Sequence, residues 1–151
     1  MEQINAYDNV GAHNAIKSIM LKKERISMQL GMDKGGYDCA WLESKTEAKF
    51  KYQLSEEGFF WLLRYMQKGE TEDYGVKPSQ VTPEENIGGD FQLAMLHAFI
   101  DCEFHVHCTP LFREVNGYIS ALASFANGKV LFKVRRTEEL IDYLREKGFA
   151  I

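Results

Sequence analysis

The sequence predicts an α+β protein of two similar helix–three-strand–helix halves with antiparallel sheets, joined by an acidic linker. Three observations lead there. Apolar residues alternate strictly in several short segments, the pattern of half-buried strands. Two helical segments open on a hydroxyl residue followed by paired glutamates, SEEGFF and TEELID. Local wording also recurs: Phe50, Lys51, Glu56 and Glu57 return as Phe132, Lys133, Glu138 and Glu139, and Gly36-Tyr37 returns as Gly117-Tyr118.

Taken in order, NVGAHNAIKSIMLK places Val10, Ala12, Ala15, Ile16, Ile19 and Met20 at helical spacing. In RISMQLGMD, Ile26, Met28, Leu30 and Met32 alternate, so the period changes to that of a strand. DKGG supplies a turn, and YDCAWLESK and EAKFKYQL read as two further strands. Ser55 is a good N-cap because its hydroxyl accepts from an orphan backbone N–H. Glu56 and Glu57 then sit where the helix dipole favours negative charge. That helix buries Phe59, Leu62, Leu63 and Met66, and Gly69 ends it as a left-handed cap. Residues 70–89 hold Pro78 and Pro83 and read as a linker.

Asp90 caps the helix FQLAMLHAFID, with Phe91, Ala94, Met95, Ala98 and Phe99 on one side. EFHVHCT, YISALASFA and KVLFKVR follow as strands, the last two joined by Asn127-Gly128, a strong hairpin signal. Thr137 caps EELIDYLREK and Gly148 ends it. We expect one compact unit over residues 1–151, with half-repeats at 9–69 and 90–148.

Composition bounds the function classes. Of 151 residues, 45% are hydrophobic and 13% aromatic, which suits a folded core and not a disordered chain. No apolar run approaches the roughly 20 residues that span a bilayer, so no membrane partner is expected. The N-terminus MEQINAYDNVG has neither the basic nor the apolar region of a secretory signal. Three cysteines, an odd number, do not suggest a disulfide framework, and a cytoplasmic location is expected. The net charge is −4, yet residues 69–90 alone carry −5, leaving the remainder at +1. The low pI therefore does not exclude an anionic ligand, and no large basic excess advertises nucleic acid.

CEFHVHCT is the densest chemistry in the chain, with two of the four histidines and two of the three cysteines. As a strand it would put Phe104, Val106 and Cys108 on an apolar face and Glu103, His105, His107 and Thr109 on a polar one. Side-by-side imidazoles can share an ion, with Glu103 adding an oxygen and His97, Asp101 or Cys102 closing the set. Zinc or another divalent metal would suit those donors, although the sequence does not require a cofactor. A metal-dependent hydrolase using the His105/His107 pair is one expectation. His107-Cys108-Thr109 resembles the His-x-Thr motif of two-histidine phosphoesterases. The second motif that chemistry needs is missing, since the other histidines read His13-Asn-Ala and His97-Ala-Phe. Cys39, Cys102 and Cys108 read as small hydrophobes rather than nucleophiles.

A second expectation is nucleotide or nucleic-acid binding on lysine-bearing sheet faces. In the second half these would carry Lys129, Lys133 and Arg135, Tyr118, Ser120 and Ser124, with His105 and His107 alongside. Lys45, Lys49 and Lys51 offer the same in the first half. The order helix, three strands, helix is also similar to that of double-stranded-RNA-binding domains. Here, however, both final helices begin with acids that repel phosphate. No complete catalytic motif is present. The leading expectation is a small non-catalytic binding protein, of inhibitor or adaptor type, acting through protein–protein contacts, with a homodimer left open.

Overall fold

The computed structural model describes residues 4–78, 90–108 and 110–151. Among the described residues, seven strands form one mixed sheet: β1 (Ile4–Asn5), β2 (Ile26–Met32), β3 (Asp38–Glu43), β4 (Lys49–Tyr52), β5 (Leu111–Val115), β6 (Tyr118–Phe125) and β7 (Gly128–Arg135). Four α-helices of the same residues accompany them: α1 (Asn9–Leu21), α2 (Glu56–Lys68), α3 (Asp90–Asp101) and α4 (Glu138–Glu146). The sheet order is β1-β4-β3-β2-β7-β6-β5.

The antiparallel meanders β2-β3-β4 and β5-β6-β7 are not separate sheets. They are joined edge to edge by β2 and β7, which run parallel with Ser27 opposite Lys129 and Gln29 opposite Leu131. Both strands alternate buried and exposed residues, so pairing them makes one continuous apolar face. All four helices contribute to a single hydrophobic cluster on that face. Phe50, Tyr52, Phe59, Trp61, Phe99 and Phe132 are fully buried in it.

Local chemistry explains the helix ends. The Asp8 carboxylate accepts from the Gly11 N–H, Ser55 from Gly58 and Thr137 from Leu140, each satisfying a donor that the first turn leaves free. Gly69 closes α2 at φ 72°, as the sequence predicts. No helix among the described residues is long and apolar enough to cross a membrane.

Three expectations need correction. EFHVHCT is not a strand. After α3 the chain turns through Glu103 at φ 62°, and Phe104–His107 wind into a 3-10 turn closed by Val106 N–H to the Glu103 carbonyl. Phe104 packs inward, stacked on Phe60 of α2 at 5.8 Å, while Val106 points to solvent. The strand begins eight residues further on, at β5, which the sequence reading missed.

The Asn-Gly signal also belongs elsewhere. Asn116 and Gly117, at φ 51° and 82°, form the two-residue hairpin between β5 and β6, with both central residues left-handed. Between β6 and β7 the loop is Ala126-Asn127, and Gly128 is already in the strand, opposite Phe125. Asn127 instead ties elements together, its N–H donating to Met66 and its carbonyl accepting from Ile26.

The proposed linker begins as packed structure. Val76 is buried in the core, and Asp73 forms an ion pair with Lys17 of α1 at 3.1 Å. Residues 79–89, with Pro83, Glu84 and Glu85, lie outside the described residues.

Candidate functional site

Among the described residues the helices pack on one face of the sheet and leave the other face open. Strand register fixes what it carries. One row runs across six strands as Leu111, Leu122, Leu131, Gln29, Trp41 and Lys51. Leu111 is 61% exposed, and Leu122, Leu131 and Trp41 are half-buried. On one side of this row lie Arg113, Ser120 and Lys133, followed by Val115, Tyr118 and Arg135. On the other side lie Ser124, Lys129, Ser27 and Glu43. The result is a partly apolar band with a basic margin of Arg113, Lys133 and Arg135 on one side and a mixed margin of Lys129 and Glu43 on the other.

Some cations of the surface find carboxylates: Lys17 pairs with Asp73, Lys51 with Asp33, Lys147 with Asp101, and Arg136 with Glu114 and Glu138. Among the described residues, Arg113, Lys129, Lys133 and Arg135 make no ion pair. Lys133 lies over the Tyr118 ring at 5.0 Å, and Lys49 over Trp41 at 5.7 Å, so the exposed ring faces are already covered by cations.

Of the residues singled out from sequence, Tyr118, Lys129, Lys133 and Arg135 share this face, together with Ser120 and Ser124. His105 and His107 do not. They belong to the 3-10 turn, where His105 packs edge-on against Phe149 at 5.3 Å and lines a cleft of about 470 Å³ with Phe112. Its Nδ1 is buried with no hydrogen-bond partner among the described residues, and His107 is exposed. Residues two apart on a 3-10 helix point roughly 120° away from each other, so the side-by-side geometry of a strand is lost. Glu103 precedes the turn in the left-handed region. Among the described residues, no three His, Cys, Asp or Glu side chains gather to hold a metal ion. Thr109 lies outside the described residues.

Two of the cysteines, Cys39 and Cys108, are not poised as nucleophiles, whereas Cys102 is exposed rather than the buried hydrophobe expected. Burial pushes the Cys108 thiol up to about 11. Cys39 is pushed up to about 12, first by burial and then by Asp33.

Sequence reasoning missed Leu111, Arg113 and Val115, because the strand that presents them was placed at EFHVHCT. It also missed the apolar row, although Leu122 and Leu131 interrupt the polar parity of Ser120, Ser124, Lys129 and Lys133. Comparison with family models, curated proteins and solved structures finds no match for this chain.

Proposed function

We propose that this protein is a non-catalytic binding protein whose open sheet face receives an acidic, amphipathic segment of another protein. The observation that carries this reading is the pattern of that face. Leu111, Leu122 and Leu131 run between cations that lack carboxylate partners among the described residues. An incoming segment with apolar residues along one side and carboxylates beside them would match both features. The same pattern favours protein over nucleic acid. A phosphodiester chain offers nothing to cover the leucine row, and lysines already occupy the ring faces on which bases would stack.

The test compares ligands of equal charge by fluorescence anisotropy: a Glu/Leu amphipathic peptide and a single-stranded oligonucleotide. Peptide binding should weaken with salt, and Lys133→Glu with Arg135→Glu should reduce it at least about tenfold, or 1.4 kcal/mol. Leu131→Asp should do the same without altering either margin. Tighter binding of the oligonucleotide would shift the reading to nucleic acid, and binding of neither would refute it.

A further inference from the structure

One end of the open face sinks into a cleft of about 270 Å³ walled by Arg25, Ser27, Glu43, Ser44, Lys45 and Lys129. Its position follows from the parallel pairing of β2 and β7. Both strands begin here, with Ile26 opposite Gly128 and Ser27 opposite Lys129. Ser27 is also opposite Glu43 of β3, so the floor of the cleft reads Glu43, Ser27, Lys129 across three strands.

The cations are arranged, not merely present. Arg25 immediately precedes β2, and its Nη2 donates to the carbonyls of Phe125 at 3.1 Å and Gly128 at 3.4 Å. That fixes the plane of the guanidinium while leaving Nε and Nη1 with donors to spare. The adjacent Glu24 is drawn away from it. Glu24 accepts from the Ser44 hydroxyl at 2.7 Å and from both the N–H and the hydroxyl of Thr46. Glu43 is then the one carboxylate in the cleft wall, against Arg25, Lys45 and Lys129, none of which forms an ion pair among the described residues. Three cations line this cleft, one of them a planar fork held in place, and together they suit a dianion with tetrahedral oxygens better than a single carboxylate.

We propose that this cleft binds a phosphate monoester. Resting on the docking reading above, we assign its source to a phosphorylated side chain on the protein that occupies the open face. A phosphorylated residue brings close to two negative charges and three acceptor oxygens at neutral pH.

The first probe is inorganic phosphate, titrated by NMR against chloride at matched ionic strength, so the result does not depend on any partner. Saturable shifts at Ser27 and Lys129, with a Kd on the order of 1 mM, are expected. They should weaken at least about tenfold in Lys45→Gln/Lys129→Gln, whose side chains are exposed and carry no packing, and persist in Lys133→Gln. Shifts reproduced by chloride, or retained in the double variant, would overturn the pocket while leaving the docking assay to be judged separately. A phosphoserine peptide should then bind tighter than its unphosphorylated form and tighter than a mononucleotide. A mononucleotide that binds better overturns the protein source.

Discussion

Gly128→Ala is the sharpest test of the central strand pairing. Gly128 starts β7 directly opposite Ile26, and a Cβ there would press on the Ile26 carbonyl oxygen and come within 2.7 Å of Met66 Cγ. Met66 can move; a backbone oxygen in a sheet cannot do so without parting β2 from β7. Overpacking of this kind costs about 1–3 kcal/mol, and the rigid neighbour places this case at the upper end. Loss of the 3.1 Å bond from Ile26 N–H to the Asn127 carbonyl adds about 1 kcal/mol. A total of about 3–4 kcal/mol, at about 2–4 °C per kcal/mol for a chain of this length, lowers Tm by roughly 6–16 °C. Thermal and urea unfolding read it, with the urea midpoint falling and the slope unchanged. Gly31→Ala is the control: its Cβ would meet Trp41 Cδ1 at an ordinary 3.4 Å, so stability should hold or rise slightly. A Gly128→Ala protein as stable as its parent would refute the parallel β2–β7 contact as drawn.

Other outcomes follow from single groups. Ser55→Ala and Thr137→Ala should each cost about 1 kcal/mol in urea unfolding, and the double variant should lose about the sum; no loss would mean those caps are not formed. His13 is buried, its Nδ1 paired with the Tyr52 hydroxyl at 2.8 Å, and burial, then Lys17, holds its pKa below the ordinary histidine value. The unfolded chain therefore binds the proton more readily, so this contribution is complete above about pH 6.5 and is lost as pH falls toward the folded value. Tm should drop between neutral pH and pH 5 more steeply than in His13→Leu, and parallel curves would show that His13 is not responsible. Cys102 is exposed, whereas the Cys39 and Cys108 thiols stay protonated at pH 8. A thiol reagent should thus label one site fast and two slowly, and three equal rates would contradict that burial.

Features written in short-range chemistry were legible in the sequence. Ser55, Thr137 and Gly69 announce helix ends because capping depends on side chains within one turn. β2, β6 and β7 announce themselves because one face is buried along most of their length. β5 was illegible by the same logic: four of its five residues are exposed, so LFREV carries no alternation to read. EFHVHCT alternates by coincidence, with Phe104 half-buried against the core and Val106 exposed in a 3-10 turn. The clue that would have corrected it was Asn116-Gly117, an Asn-Gly pair lying between LFREV and YISALASF. At Asn127-Gly128 the glycine answers to a long-range contact instead, its close approach to Ile26. The lysines and Tyr118 of the candidate face were visible from strand parity alone. The leucine row, and the cleft where Arg25, Lys45 and Lys129 meet, depend on which edges join, and local periodicity does not encode that.

The junction of β2 with β7 also sets an order of events during synthesis. Residues 26–29 leave the ribosome long before their partners at 128–131 exist. Until then β2 is an open edge on a three-stranded meander, exposing backbone groups that invite pairing with other nascent chains. Closing so large a loop is slow, and the most central hydrogen bonds of the sheet must be among the last to form. A chain stalled before residue 128 would carry β2 with that edge still unpaired.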